Sequence, residues 1–187
     1  GHTISDLTIT GQYSPAGLFG IVEEQGSIES LSVRGVVSVS DSADTTTGGI
    51  VGINHGTLIN CQFTGVVTGD SEVGGIVGRN ESEGTIDHST ARAIVTGKSS
   101  TGGIAGYNLG AITGCTNVGS INTEYPEASL DTDGFTAKMV DYINNKMAAA
   151  DNDATNSVTN VATDTGGIAG RSSGMILTSV NTGTVGY

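Results

Sequence analysis

The sequence predicts an all-β fold: a right-handed parallel β-helix (β-solenoid) of about five rungs, with one helical insertion. Three observations predict it. A pentapeptide recurs, as Ala16-Gly17-Leu18-Phe19-Gly20, Gly48–Gly52, Gly74–Gly78, Gly102–Gly106 and Gly166–Gly170. Its starts at 16, 48, 74, 102 and 166 lie 32, 26, 28 and 64 residues apart, and repeats of this period mark stacked architectures. A second pattern follows each pentapeptide. Finally, β-branched residues, Thr and Gly dominate each rung, with no long run of helical period. That disfavours a helical-repeat solenoid.

The second pattern is clearest in Gly26-Ser27-Ile28-Glu29-Ser30-Leu31-Ser32-Val33-Arg34-Gly35-Val36-Val37 and in Gly56–Val67. Equivalent runs start at Gly84, Gly110 and Gly174, and a headless copy opens the chain at His2-Thr3-Ile4 and continues through Leu7, Ile9, Gly11 and Tyr13. Alternation of Leu31, Val33, Gly35 and Val37 with Ser32, Arg34 and Val36 gives a strand with one buried face. The pentapeptide reads as a second short strand with Ile50, Ile76, Ile104 and Ile168 inward, its glycines letting neighbouring layers approach. One rung has too little apolar surface to fold alone. Stacking places Ile4, Ile28, Leu58, Ile86, Ile112 and Ile176 in one column and Tyr13, Val37, Val67, Val95, Ile121 and Val185 in another. The crossover rule makes the coil right-handed.

Composition excludes several classes. Thirty glycines without a three-residue period, and two prolines, exclude collagen. A net charge of −12 repels nucleic acid and anionic membrane, which both require clustered cations. No apolar stretch reaches the length of a membrane span. The chain begins without Met and starts and stops inside the repeat, so it reads as one domain, 1–187, cut from a longer protein.

Few residues offer chemistry. Cys61 and Cys115 share a column with Ser89 between them, so two rung spacings, about 9.6 Å, separate them. They read as reduced, buried thiols. Asn54, Asn80 and Asn108 recur six residues after a pentapeptide start, with Val22 and Ser172 there in the outer rungs, and read as a hydrogen-bonded ladder at a tight turn. Asp87-His88-Ser89 has triad residue types, but neighbours on a strand face opposite ways. Gly97-Lys98-Ser99 lacks the earlier glycine of a phosphate loop, since Arg92 stands there. Asp131, Asp133, Asp151 and Asp153 are weak calcium candidates, too few for a full loop. No cofactor is expected.

Residues 123–164 form an insertion in the fourth rung. Phe135, Met139, Val140, Ile143 and Met147 follow helical spacing, which predicts an amphipathic helix over about 135–149 that packs on the rod. As the non-repetitive part of the chain, its Phe135, Met139, Ile143 and Met147 are the interaction candidates. A shorter loop, Asp41–Thr47, is expected on the corresponding side.

The pentapeptide followed by x-Asn-x-Gly-[Thr/Ala]-[Ile/Leu]-x-x-Cys, seen in 48–61 and 102–115, resembles the GLUG repeat family of bacterial surface proteins. Its repeats also occur in non-catalytic regions of immunoglobulin A-cleaving metallopeptidases. The resemblance implies an extracellular or cell-surface location and a stalk or adhesive role, and it carries no catalytic residues. The zinc motif His-Glu-x-x-His is absent from the sequence.

The expected function is therefore a non-catalytic segment of a secreted or surface protein, serving as spacer and interaction surface. Its partner would be an unidentified protein or glycan of a host or bacterial surface, with end-to-end association through the open solenoid ends as a further contact. An accessory module of a surface protease is the alternative. A β-helix polysaccharide enzyme is disfavoured by zero Trp and bland outward columns at Ser32, Gln62, Thr90 and Thr116.

Overall fold

The computed structural model describes residues 1–39, 45–123 and 163–186. Four parallel sheets run side by side along one axis, and the chain visits them in a fixed order. Sheet I holds β1 (His2–Gly11), β4 (Leu31–Val39), β8 (Gln62–Thr68), β12 (Thr90–Thr96), β16 (Thr116–Asn117), β17 (Ser120–Ile121) and β21 (Val180–Asn181). Sheet II holds β5 (Thr46–Gly48), β9 (Glu72–Gly74), β13 (Ser99–Gly102) and β18 (Thr163–Gly166). Sheet III is β2 (Phe19–Val22), β6 (Val51–Asn54), β10 (Val77–Asn80), β14 (Ala105–Asn108) and β19 (Ala169–Ser172). Sheet IV is β3 (Ser27–Glu29), β7 (Thr57–Ile59), β11 (Thr85–Asp87), β15 (Ala111–Thr113) and β20 (Met175–Leu177). This is a parallel β-solenoid of about four turns, with no helix among the described residues.

Like stacks on like. Ile28, Leu58, Ile86, Ile112 and Ile176 pair in succession through sheet IV. Val37, Val67, Val95 and Ile121 do so in sheet I, with Val185 bridged to Ile121. The interior members of these columns are fully buried, each worth about 1.5–3 kcal/mol.

The pentapeptide is a corner, not a strand. Gly48 ends β5, Gly49 and Ile50 bend, and Val51 and Gly52 begin β6. A Cβ on Gly48 would lie 2.0 Å from the Val51 carbonyl oxygen, and one on Gly49 would lie 2.5 Å from the Phe63 ring across the core. The turn therefore requires the paired glycines, which at this position make the corner rather than loosen a strand. Ile50, Ile76 and Ile104 are still fully buried. Their backbones link one corner to the next, with Ile50 N–H donating to the Ile76 carbonyl at 2.9 Å and Ile76 N–H to the Ile104 carbonyl at 3.0 Å. Ile168, in the last rung, is half-buried and packs on the core.

The first copy departs from its expected register. Ile4 pairs with Val33, Leu7 with Gly35 and Ile9 with Val37, across an irregularity between Ile4 and Leu7. Ile4 is thus outside the Ile28 column, and Tyr13 is 62% exposed rather than stacked on Val37. β1 stays in sheet I throughout, because Asp6, at φ 60°, makes a bulge where other rungs turn a corner.

Candidate functional site

Three polar features line the solenoid, and each arises where the chain turns. Between sheets III and IV, Asn54 Nδ2 donates to Asn80 Oδ1 at 2.8 Å, and Asn80 Nδ2 to Asn108 Oδ1 at 2.8 Å. Asn108 Nδ2 ends the series on Ser172 Oγ at 3.2 Å. Each amide also closes its own turn, Asn54 onto Gly56 O at 3.1 Å, Asn80 onto Gly84 O at 3.0 Å and Asn108 onto Gly110 O at 3.3 Å. All three asparagines are completely buried, so none is open to a ligand.

Between sheets IV and I the turn residues Ser30, Asn60, His88 and Thr178 take φ of 53°, 51°, 45° and 46°, and Gly114 takes 61°. The next residue in each rung points inward. Ser89 Oγ accepts from Cys61 N–H at 3.1 Å, Cys115 Sγ from Ser89 N–H at 3.4 Å, and Ser179 Oγ from Cys115 N–H at 3.1 Å. Each group also donates to the carbonyl two residues before it, as Ser89 does to Asp87 O at 3.1 Å and Cys115 to Thr113 O at 3.4 Å. Serine and cysteine interchange here because each carries one donor and one acceptor. Burial pushes the Cys115 thiol up to about 11 and raises Cys61 as well. Both are free thiols, held protonated and poorly nucleophilic.

A second amide ladder escaped the sequence reading. Asn117 Nδ2 donates to Asn181 Oδ1 at 2.7 Å and to Gly119 O at 3.3 Å. It replaces Val33, Phe63 and Ala91 in an inward column of sheet I, and its turn splits β16 from β17. The signal was present as Asn-x-Gly at 117–119 and 181–183, the same spacing as at 54–56 and 108–110.

His88 lies at a corner rather than on a strand. Its ring contacts Asp87 Oδ2 at 2.9 Å and is largely exposed, whereas Ser89 is buried with its hydroxyl committed as above. The three residues do not converge on a reacting atom. Lys98 Nζ bonds Asp70 Oδ1 at 2.5 Å, which ties neighbouring rungs together.

On the outer face of sheet III, Ile21, Ile53, Arg79, Tyr107 and Arg171 form one column. The Tyr107 ring lies between Arg79 at 5.1 Å and Arg171 at 5.5 Å, a cation–π sandwich. Arg79 also reaches Glu81 at 2.6 Å and Glu72 at 2.8 Å. Burial works to lower its pKa, but the bonds and charge of Glu81 and Glu72 outweigh it and hold the guanidinium above its ordinary value. A shallow pocket of 280 Å³ at the sheet IV–I turn is lined by Ser30, Ser32, Asn60, Gln62 and Thr90 among others.

Among the described residues no group of three or more His, Cys, Asp or Glu could hold a metal, and no helix is long and apolar enough to cross a membrane. Asp131, Asp133, Asp151, Asp153, Phe135, Met139, Ile143 and Met147, with the expected helix, lie outside the described residues. The stretch that holds them connects β17 to β18, sheet I to sheet II. Residues 40–44 make the same connection between β4 and β5, so both extra segments leave the solenoid at the same edge.

The family model of the GLUG motif matches residues 69–96. Those residues hold β9, β10, β11 and β12, one strand from each sheet, so the motif is one turn of the coil. Halomucin of Haloquadratum walsbyi, a surface protein, is 37% identical over 92 residues, which are 49% of this chain and 1% of halomucin. No solved structure matches the chain. The chain carries the GLUG motif, and that motif builds a rung of a parallel β-solenoid.

Proposed function

We propose that this chain is a non-catalytic segment of an exported, cell-surface protein, acting as a rigid spacer that displays an interaction surface. The observation that carries the reading is the fate of the interior polar groups. Asn54, Asn80, Asn108, Asn117, Ser89 and both thiols spend their hydrogen bonds on the neighbouring rung, which stiffens the rod and leaves them unavailable for chemistry. Similarity to a surface protein supports the location. Contact with a protein or glycan is assigned to the segment between β17 and β18, whose Phe135, Met139, Ile143 and Met147 are the proposed contact residues.

The test is a glycan-array and cell-surface binding screen of the full chain beside a variant in which residues 124–162 are replaced by a short turn like that at Gly97–Lys98. The expected result is retained β circular dichroism with lost binding. Binding that survives the replacement would refute this contact site, and turnover of any bound polysaccharide would refute the non-catalytic assignment.

A further inference from the structure

We infer that the corner between sheets IV and I is a carbohydrate furrow, which takes one extended chain of a neutral polysaccharide laid along the solenoid axis. The turn residues Asn60, His88 and Gly114 lie in left-handed backbone conformations, and the residue after each, Cys61, Ser89 or Cys115, is buried. The backbone therefore dips toward the core at the same place in each interior rung, and stacking makes the dip a furrow parallel to the axis. The 280 Å³ pocket lined by Ser30, Ser32, Asn60, Gln62 and Thr90 among others is one stretch of it.

Its groups suit sugar hydroxyls. Ser32, Gln62, Thr90 and Thr116 pair in succession through sheet I and are half-buried along one wall. The interior asparagines and thiols commit their hydrogen bonds to a neighbouring rung, whereas these four side chains make none among the described residues. Hydroxyls and amides both donate and accept, as sugar hydroxyls do, and none of the four is charged. A net charge of −12 repels an acidic polymer in addition.

The opposite wall is set in advance. Asn60 Nδ2 donates to Ser30 Oγ at 3.4 Å. The His88 ring, held by Asp87 Oδ2 at 2.9 Å, lies over Gly114, where an added Cβ would come within 3.0 Å of it. Side chains already fixed lose little freedom on binding. Rungs repeat about every 4.8 Å, close to the advance of one sugar ring in an extended chain, so a polymer along the axis meets the same kind of group at every unit. Hydrogen bonds alone hold each unit, and attachment depends on several rungs acting together.

This surface is separate from the segment between β17 and β18. Its contacts exchange too fast to survive the washing of an array and are read at equilibrium. Native-gel affinity electrophoresis of the full chain through dissolved galactomannan, a soluble β-glucan and polygalacturonate is the test. The expected result is retardation by at least one neutral polymer and none by polygalacturonate, with trisaccharides competing at least about tenfold more weakly than the polymer. Gln62→Leu and Thr90→Val remove hydrogen-bonding groups but keep size. Each weakens retardation about fivefold and the pair more than about tenfold, with β circular dichroism unchanged. Thr96→Val, at the far end of β12, leaves retardation as it was. Replacing residues 124–162 also leaves it, which separates failure of the furrow from failure of that segment as a contact site. Four results would overturn the inference: no retardation by either neutral polymer, an unaltered Gln62→Leu/Thr90→Val variant, loss on replacing 124–162, or retardation by polygalacturonate. The last would assign the surface to Arg34 and Arg92, one column farther from the corner.

Discussion

Replacing Asn80 with Ala removes the centre of the buried amide ladder. Asn80 accepts from Asn54 at 2.8 Å and donates to Asn108 at 2.8 Å and to the Gly84 carbonyl at 3.0 Å. Three hydrogen bonds at about 1 kcal/mol net, plus about 1–2 kcal/mol for Asn108 Oδ1 left buried without its donor, give a loss of about 4–5 kcal/mol. That is a large share of the about 5–15 kcal/mol that holds a domain folded. Urea unfolding followed by circular dichroism reads the loss directly. Ser172→Ala is the internal comparison: it loses one bond from Asn108 at 3.2 Å and one to Gly174 O at 3.2 Å, in an exposed position, so about 1 kcal/mol or less is expected. Asn80→Asp adds a second check. A buried carboxylate there faces the acceptor oxygens of Asn108 and Gly84, which raises its folded pKa. The variant's stability should therefore be highest below the unfolded carboxyl pKa of about 4 and fall as pH rises. An Asn80→Ala loss under about 1 kcal/mol, or one no larger than that of Ser172→Ala, would refute the claim that the ladder holds the rungs together.

Gly74→Ala should be strongly destabilising, by more than about 3 kcal/mol, because the new Cβ would sit 1.9 Å from the Val77 carbonyl oxygen, while Gly20→Ala, whose nearest neighbour is 3.6 Å away, should change thermal stability little. Ser89→Cys should be tolerated and Ser89→Val should cost about 2 kcal/mol, since valine leaves the Cys61 N–H without an acceptor; chemical denaturation distinguishes them. The Cys115 thiol titrates near 11 when folded and about 9 when unfolded. Its protonated form therefore contributes stability that is complete below pH 9 and lost as pH rises to 11, about 3 kcal/mol in all. Cys115→Ser should flatten that part of the wild-type stability curve, measured by urea titration at each pH.

Much of the coil was legible because stacking repeats each inward position. Ile28, Leu58, Ile86 and Ile112 announce a column before any coordinate is known. The misread register of β1 has a definite cause. Tyr13 was expected over Val37, and Ile9 lies there instead, a slip of four residues along Leu7–Gly11. An even slip keeps the side chains of that stretch on their own faces, so alternation cannot detect it. Among the described residues β1 also pairs on one side only, and no second neighbour there corrects it. The pentapeptide was misread for a different reason. Its buried isoleucine looks the same in a strand or at a bend, and what separates the two is that a Cβ on Gly48 would lie 2.0 Å from the Val51 oxygen, which composition does not encode. The thiols read correctly as small buried groups, but their hydrogen-bonding role depends on a partner in the adjacent rung and is invisible within one repeat.

The shared departure edge of the two extra segments has a consequence for how such proteins vary. The connection from sheet I to sheet II is a seam along which the backbone can be opened and resealed while the other three turns of each rung keep their ladders. Lengthening a seam loop costs only the slow logarithmic entropy of a longer closure. Successive rungs would carry their loops in a line about 4.8 Å apart, so the displayed text could change freely while the spine that holds it is conserved in shape.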